Sequence, residues 1–461
     1  MTLTRRGIIF GGAAAAAAFP AMVAGQTSPT VMRAAPSDFQ LLPQGYGTTA
    51  VWSYDGAVPG TEIRVPQGGR VHGRLVNDLD HPTSTHWHGI RLKNDMDGVA
   101  GLTQEVVASG ESFDYDFVAP DAGTYWYHAH NRSFEQVARG LYGPLIVEEP
   151  EAIDVDRDEV LVLDDWLLDP DTGQFLGEYG EPHDLSHAGR LGNYSTTNST
   201  FELTLAVKRH ERLRLRLINA ANARIFDLRL HGLEGWVVAL DGMPLAAPRS
   251  AEGPITVGPG QRVDLIADVT LEAGEVAHIV RMDRSDAYSQ VAFKVEVGGS
   301  AARRGAPKPL PPNAHAMPDI SQAIPVRLHM QGGAMGGLRH AMAGGEMQSM
   351  RDLAVDGQFW AFNGAIGSVS EPPLTEFSRG QTARLTIVND TVFPHAMHLH
   401  GMHFHEILPD GSLGDLRDTT MLLRGETRDI AFLADNPGDW LLHCHMLSHA
   451  ASGMMTWIRV T

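Results

Sequence analysis

The sequence has very little cysteine and no excess of basic charge. A single cysteine among 461 residues excludes a disulfide framework. With 36 basic residues against 55 acidic ones, the net charge is −19, so no nucleic-acid partner is expected. Apolar residues are not scarce: they make up 43% of the chain, which excludes a disordered protein and supplies a substantial core. At ~150 residues per domain, the length predicts about three domains.

Long hydrophobic runs are also missing, except near the start of the chain. Arg5-Arg6 precede a glycine- and alanine-rich run that extends to about Ala24. This pattern predicts a twin-arginine signal peptide over residues 1–26, which is cleaved after it has exported an already folded protein. The alternative, a membrane anchor, needs a longer and more apolar run. We therefore expect a periplasmic or secreted protein without a membrane span in its mature form.

Two short patterns recur three times along the chain. In the first, an apolar run ends in asparagine, and a glycine follows twelve or thirteen residues later. The asparagine–glycine pairs are Asn77 and Gly89, Asn219 and Gly232, and Asn389 and Gly401. In the second, a glycine stands eighteen residues before a histidine, at Gly110 and His128, Gly260 and His278, and Gly425 and His443. These repeats predict three copies of one structural unit.

The units are composed of strands rather than helices. Segments such as residues 212–217 alternate apolar and polar residues and are bounded by glycine, proline, aspartate and asparagine. No long segment has apolar residues at the 3.6-residue period that would indicate a helix instead. We predict an all-β fold with three Greek-key β-sandwich domains, over residues 35–150, 155–300 and 320–461. Proline-rich stretches near Pro150 and over residues 306–312 mark the boundaries.

Histidine, unlike cysteine, is abundant, with 22 copies. Four His-X-His pairs occur, namely His86/His88, His128/His130, His398/His400 and His443/His445. In a strand, residues i and i+2 share a face, so each pair presents two imidazoles side by side. A single pair is more often structural, but four pairs at matching places in two units predict a metal centre. Eight imidazoles exceed what one tetrahedral ion takes, so we expect several ions of copper, zinc, iron or nickel.

The middle copy serves as an internal control for this interpretation. It keeps Asn219, Gly232 and Gly260 but has Arg229 and Val280 where the other copies have histidine. A residue needed only for the fold should persist in all three copies. The histidine pairs therefore serve a function that the middle domain lacks, and we predict no metal there.

Cys444 indicates which metal is bound. It lies between His443 and His445, so its side chain points to the opposite face of their strand. Together with His395, His449 and Met454 it gives two imidazoles, a thiolate and a thioether, the ligands of a blue-copper electron-transfer site. The alternative for Cys444 is a small buried hydrophobe. An electron entering at this thiolate has a short covalent route to metals on the other face, which suits the four-electron reduction of dioxygen to water.

These motifs resemble those of the multicopper oxidases, the family of laccases, bilirubin oxidases and cuprous oxidases. They read His-Trp-His-Gly at 86–89, Tyr-Trp-Tyr-His-Ala-His at 125–130, His-Ala-Met-His-Leu-His-Gly at 395–401 and His-Cys-His-Met-Leu-Ser-His-Ala-Ala-Ser-Gly-Met at 443–454. The resemblance covers nearly the whole mature chain and implies cupredoxin-like domains with four copper ions. The implied ligands are His395, Cys444, His449 and Met454 for the type 1 copper, His86 and His398 for the type 2 copper, and His88, His128 and His445 with His130, His400 and His443 for the two type 3 coppers.

Making water consumes protons, and the resemblance implies a carboxylate near the type 2 site to deliver them. Asp97, shortly after the first histidine pair, matches this position; the alternative is a turn residue before Gly98. Many bacterial members also have an acidic residue directly after the last type 1 histidine. Ala450 stands there in this chain, so we expect one relay to be missing or replaced.

The segment 329–350 bears on the substrate, because it is rich in methionine and glycine and has neither helical nor strand periodicity. Thioethers suit Cu(I), and similar insertions occur in cuprous oxidases. A Cu(I) substrate site would use Met330, Met335, Met342, Met347, Met350 and Asp390. The alternative is a flexible apolar loop that covers the substrate pocket.

We therefore predict an enzyme that takes single electrons at a type 1 copper and reduces dioxygen at a trinuclear copper cluster. Its reductant is a phenol or aromatic amine, as in laccases, or Cu(I), as in copper homeostasis, and we expect a monomer. The alternative from another class is a non-catalytic copper-binding or cell-envelope protein on the same fold, which would be expected to have lost ligands. A copper nitrite reductase is disfavoured, because its site is normally assembled across subunits.

Overall fold

The computed structural model describes residues 29–299 and 302–461, so the predicted signal peptide lies outside the described residues. Within the described part, 32 strands form three successive groups. The first group contains β1 (Thr30–Phe39), β2 (Thr49–Tyr54), β3 (Ile63–Pro66), β4 (Arg70–Asn77), β5 (Thr85–His88), β6 (Ser112–Val118), β7 (Gly123–Ala129) and β8 (Tyr142–Glu148). The middle group contains β9 (Arg157–Trp166), β10 (Tyr194–Thr197), β11 (Leu203–Arg209), β12 (Arg212–Asn219), β13 (Phe226–His231), β14 (Leu233–Leu240), β15 (Met243–Ser250), β16 (Ile255–Val257), β17 (Arg262–Val269), β18 (Val276–Asp283) and β19 (Asp286–Gly299).

The last group contains β20 (Ile324–Gly332), β21 (His340–Ala343), β22 (Glu346–Ser349), β23 (Trp360–Phe362), β24 (Thr375–Phe377), β25 (Gln381–Asn389), β26 (His395–Leu399), β27 (Phe404–Ile407), β28 (Leu413–Arg417), β29 (Thr419–Leu422), β30 (Thr427–Ala434), β31 (Gly438–Cys444) and β32 (Met455–Val460). Helices in the described residues are short: α1 (Ser133–Gln136), α2 (Pro182–Ser186), α3 (Met350–Val355) and α4 (Leu447–Ala451), with 3-10 turns at Asn94–Met96 and Ile320–Gln322. None of these helices has the length and apolar character needed to cross a lipid bilayer.

Each group contributes two main sheets. The strand orders are β2-β1-β4-β6 and β3-β8-β7-β5 in the first group, β10-β9-β12-β17-β14-β15 and β11-β19-β18-β13-β16 in the middle group, and β23-β20-β25-β30-β27-β28 and β24-β32-β31-β26-β29 in the last group. In each of these six sheets, one pair of neighbouring strands is parallel. The parallel pairs occur at corresponding positions in the three groups, for example β1 with β4, β9 with β12 and β20 with β25. The prediction of an all-β fold built from a repeated unit is confirmed.

The repeated asparagines have the same role in all three groups. The side-chain amides of Asn77, Asn219 and Asn389 each donate to two main-chain carbonyls at 2.8–2.9 Å. Each side-chain oxygen accepts from the main-chain N–H two residues later at 3.0 Å. The buried amide thereby satisfies main-chain groups where the strand ends and the chain turns, which explains why it recurs in every copy.

The alternating strand β12 is buried on both faces. All eight of its residues are buried, including the polar ones. Arg212, Arg214 and Arg216 form ion pairs with Asp268, Asp264 and Asp158 at 2.6–2.7 Å. Arg216 also donates to the hydroxyl of Thr124 in β7 at 2.9 Å. The polar face of this sheet therefore lies against the first group instead of facing solvent.

Two large apolar cores hold the chain together. One is continuous between the first and last groups and contains residues such as Trp87, Tyr127, Trp440 and Met454. The middle group has a core of its own, around Leu215, Phe226 and Phe293. The first and last groups thus bury a joint surface, and the histidine pairs lie in the strands that border it or directly after their ends.

Candidate metal centre

Strand pairing brings the four histidine pairs together. In the first group β5 runs antiparallel to β7, and His86 lies opposite His128. In the last group β26 runs antiparallel to β31, and His398 lies opposite His443. Because the side chains of each pair share one face, both groups present a patch of imidazoles, and the two patches face each other at the joint surface.

The imidazoles form groups of three that combine the first and last parts of the chain. Ligand atoms within 4.8 Å of one another occur in three such groups, which are His88, His128 and His445; His130, His400 and His443; and His86, His88 and His398. Neither part of the chain completes any of the three groups alone. The arrangement therefore requires both sandwiches to be folded and docked.

The hydrogen bonds of these rings leave one nitrogen of most rings free to bind a metal. His86 donates from Nδ1 to the carbonyl of Asp97 at 2.8 Å, and His398 donates from Nδ1 to the carbonyl of Asp418 at 3.0 Å. Buried ring nitrogens without any partner among the described residues are His86 Nε2, His88 Nδ1, His128 Nε2, His130 Nε2, His398 Nε2 and both nitrogens of His445. Leaving buried polar atoms unpaired is unfavourable, and coordination by a cation is the chemistry that satisfies an unprotonated imidazole nitrogen.

Two of the rings also face each other directly through their unprotonated nitrogens. His400 and His443 both donate from Nδ1, to Asp97 Oδ2 at 2.9 Å and to the carbonyl of Cys444 at 3.0 Å. Their Nε2 atoms, which then carry lone pairs, face each other at 3.2 Å. Two lone pairs at this distance repel unless a cation lies beside them, so the residues fit a metal ion.

Burial keeps these imidazoles in the form that binds metals. Desolvation, reinforced by neighbouring imidazoles, lowers the pKa of His128, His400, His443 and His445 well below its usual value. Burial likewise lowers the pKa of His130 to about 3. The rings are therefore neutral at neutral pH, and metal binding does not have to displace protons from them.

Cys444 occupies a second site on the other face of β31. Its Sγ lies 3.6 Å from His395 Nδ1 and 3.7 Å from His449 Nδ1, and these two nitrogens are 3.1 Å apart. All three side chains and that of Met454 are fully buried. Burial raises the pKa of the Cys444 thiol to about 12, so a bound cation is needed to make it a thiolate at neutral pH.

Asp97 lies beside the histidine cluster, directly before a turn. Its carboxylate accepts from His400 Nδ1 at 2.9 Å and lies 3.3 Å from His86 Nδ1, with 1% of the residue exposed. It also precedes a tight turn, because Gly98 has a φ of +84° and a Cβ there would lie 1.8 Å from the carbonyl of Thr85. Ala450 is buried on α4 and brings no carboxylate to the Cys444 site.

Asp418 and Arg262 are important residues that the sequence patterns did not reveal. Asp418 accepts from His88 Nε2 at 3.2 Å and forms an ion pair with Arg262 at 2.6 Å, and neither side chain is exposed. Burial alone would raise the pKa of Asp418, but Arg262 and His88 hold it well below its usual range. Arg262 lies 156 residues from Asp418, and no local motif signals such a contact.

The methionine segment is more ordered than its composition indicates. It contains the end of β20 and the antiparallel hairpin of β21 and β22, in which Met342 lies opposite Met347. Met335, Met342 and Met347 are exposed by 79%, 37% and 63%, whereas Met330 is fully buried in the joint core. Met350 packs in a small apolar cluster, and Asp390 pairs with His329 at 3.1 Å. The six residues therefore do not form one exposed set.

Comparisons with known proteins agree with this geometry. Three family models described as multicopper oxidase match residues 37–152, 158–290 and 342–461. The multicopper oxidase MmcO of Mycobacterium tuberculosis is 30% identical over 88% of this chain and 82% of its own length. A copper resistance protein A homolog of Pseudomonas syringae pv. tomato is 27% identical over 90% of both chains.

Solved structures give the same result for the fold. Lac15 from a marine microbial metagenome is 42% identical, with a TM-score of 0.77 over 94% of this chain and 100% of its own. A multi-copper oxidase from Pseudomonas thermotolerans is 33% identical, with a TM-score of 0.82 over 95% and 100% of the two chains. The prediction of cupredoxin-like sandwiches is confirmed.

Proposed function

The chain belongs to the multicopper oxidase family, and on this basis we propose that it couples four one-electron oxidations of a reductant to the reduction of one dioxygen to two waters. The observation that carries the proposal is the position of Cys444. Its sulfur is in contact with His395 and His449, while its chain neighbours His443 and His445 belong to the two groups on the other face.

We assign the ligands of four copper ions as the sequence indicates. The type 1 ligands are His395, Cys444, His449 and Met454; the type 2 ligands are His86 and His398; the type 3 ligands are His88, His128 and His445, and His130, His400 and His443. The grouping of ligand atoms within 4.8 Å supports each set of three histidines, and the hydrogen bond from the Cys444 N–H to the Met454 carbonyl at 3.0 Å supports the place of Met454 beside Cys444. Bound at these residues, copper supplies one-electron redox chemistry at the cysteine site and four-electron reduction of dioxygen at the histidine cluster.

The residues of the chain supply position, proton transfer and insulation. The main chain from His443 to His445 joins the two sites covalently, so no side chain has to move between them. Asp97 holds His400 and His86 in the tautomer that keeps Nε2 free for metal. Asp97 is also the carboxylate that we propose as the proton donor for water formation. Asp418 accepts a hydrogen bond from His88, and Arg262 holds Asp418 in place through an ion pair.

A catalytic role fits better than a non-catalytic copper-binding role. A storage or structural protein has no use for a cysteine site joined covalently to a histidine cluster, and it would be expected to lose ligands. All twelve residues remain in this chain. The reductant is a phenol or aromatic amine, or Cu(I) held by the exposed members of the methionine segment, Met335, Met342 and Met347.

The location and organisation of the protein complete the proposal. The predicted twin-arginine signal supports export in the folded state to the periplasm or beyond, and the absence of disulfides agrees with folding before export. We propose three domains, over residues 35–150, 155–300 and 320–461, of which the middle one binds no copper, and a monomer as the working unit. The strand groups and the residues matched by the family models support these limits.

Oxygen consumption with a phenol panel and with Cu(I) tests the function. We expect four electrons to be withdrawn per dioxygen without release of hydrogen peroxide, whereas peroxide as the main product would contradict the proposal. His443→Ala should abolish turnover, because it removes a cluster residue, although the cysteine site should still accept an electron. His278→Ala is the matched control, since His278 has the same spacing in the middle copy and lies outside the cluster; turnover should be unchanged.

A further inference from the structure

The imidazoles beside Cys444 are sealed from solvent. His395 and His449 are fully buried, so a reductant cannot touch either ring. His395 donates from Nε2 to the hydroxyl of Thr391 at 2.8 Å. His449 donates from Nε2 to the main-chain carbonyl of His187 at 2.7 Å. At each ring, the nitrogen that does not face Cys444 thus reaches a hydrogen-bond partner through which an electron can enter.

The His187 carbonyl belongs to a segment of the middle group that is fastened across the site. We call residues 185–187 the strap, because three consecutive carbonyls accept hydrogen bonds from the last group. The Leu185 carbonyl accepts from Trp360 Nε1 at 2.6 Å and from the Ser452 hydroxyl at 3.0 Å. The Ser186 carbonyl accepts from the main-chain N–H of Ala334 at 2.7 Å. With the His187 bond, the strap is fixed at four points around His449.

His187 of the strap stacks with His183, which lies just before the strap in the sequence. The rings of His183 and His187 are 4.2 Å apart and inclined by 12°. The His183 side chain is 76% exposed, while His187 is half-buried with its edge against the ring of Phe393 at 5.9 Å. His187 Nδ1 and the Ser186 hydroxyl are 3.0 Å apart. The stack therefore begins in solvent and ends on the residue whose carbonyl contacts His449.

We propose that this stack is the docking site of the reductant, that the reductant is a planar aromatic such as a phenol or aromatic amine, and that its electron enters through His187. The inference rests on the proposed oxidase function and names its substrate class. A planar ring continues the stack on the free face of His183 at ordinary stacking distance. Cu(I) fits poorly, because the ligand lone pairs of parallel imidazoles lie in the ring planes and do not converge on one ion.

Oxidation of a phenol at this site releases one electron and one proton. The phenol loses one electron, which passes along the His187 main chain and the hydrogen bond to His449, and it becomes a phenoxyl radical. A Cu(II) ion held by His395, Cys444, His449 and Met454 would supply the one-electron oxidant. The hydroxyl proton passes to solvent, which reaches the docked ring because the His183 side chain is 76% exposed. No other co-reactant is needed.

Substitution of His183 tests the docking site. His183→Ala should lower kcat/KM for phenols about two- to tenfold, the worth of one aromatic stack, whereas His183→Phe keeps the stack and should restore binding. Ferrocyanide, an anionic reductant without an aromatic ring, should react equally fast with all variants. His231→Ala, another exposed histidine of the middle group, is the matched control and should leave phenol oxidation unchanged.

A binding measurement separates this inference from the oxidase function. Titration of copper-free protein with 4-nitrophenol, followed by NMR of the histidine rings, should show a Kd that rises two- to tenfold in His183→Ala and not in His183→Phe. Unchanged phenol binding and unchanged kcat/KM in His183→Ala would overturn the docking site, as would a selective loss of Cu(I) oxidation. If wild-type protein binds the phenol at His183 but consumes no oxygen with any reductant, the oxidase function fails and the binding site stands.

Discussion

Replacing Arg262 by methionine removes the cation that joins the three parts of the chain at the cluster. Its guanidinium contacts Asp418 at 2.6 and 2.9 Å, the carbonyl of Asp241 at 2.9 Å, and the carbonyl of Thr124 at 3.1 Å. These partners belong to the last, middle and first groups. Methionine has a similar length but donates no hydrogen bond, so Asp418 would lose its ion pair inside the protein, whereas Asp241 would keep Arg417 at 3.4 Å.

Breaking a buried ion pair from one side costs about 3–5 kcal/mol, and we expect the free energy of unfolding of the copper-free protein to fall by that amount in Arg262→Met. The loss should be smaller at pH 5 than at pH 8, because an unpaired buried carboxylate has a raised pKa and is neutralised as the pH falls. Asp241 shows this effect already: burial, with Asp418 nearby, raises its pKa to about 6.

Urea unfolding at both pH values measures this effect. Arg70→Met is the matched control, because Arg70 pairs with Asp116 on the surface with 57% of its side chain exposed, and its loss should change the free energy of unfolding very little. If Arg262→Met were no more destabilising than Arg70→Met, the buried network would not be what fixes the three groups around the cluster.

Two further predictions concern the histidines of the site. The stability of copper-free protein should fall as the pH falls from 6.5 towards 4, because burial lowers the pKa of His449 to about 4 and that of His130 to about 3, so the unfolded chain takes up protons that the folded chain does not. Urea midpoints at a series of pH values measure this slope; a midpoint independent of pH would contradict it. Asp97→Asn should weaken copper binding or turnover about 10- to 100-fold, because His400 and His86 lose their anionic partner. Metal analysis and oxygen uptake measure this loss, the colour of the cysteine site should be kept, and unaltered binding and turnover would show that Asp97 is only a turn residue.

Much of the centre was predictable because it depends on local rules. Side chains two apart in a strand share a face, so the His-X-His pairs and the opposite direction of Cys444 followed from spacing alone. The repeated Asn77, Asn219 and Asn389 identified the three units because each caps the same turn by itself.

The rest depends on contacts between distant parts of the chain. The alternation of β12 predicted a strand but not its surroundings, and its arginines are buried because acidic residues of a neighbouring strand neutralise them. Asp418 is separated from His88 by 330 residues, and the strap carbonyl of His187 is separated from His449 by 262. A main-chain carbonyl has no residue signature at all, so the sealing of His449 has no counterpart in the sequence.

The most direct test of the central claim is the copper content and visible spectrum of wild-type protein and Cys444→Ser. Wild-type protein should bind four copper ions per chain and have the intense blue colour of a copper–thiolate bond. Cys444→Ser should lose the blue colour while the histidine cluster keeps its copper, because its eight histidines remain in place. A colourless wild-type protein with a full complement of copper, or a serine variant that stays blue, would contradict the assignment of Cys444 as the entry point for electrons.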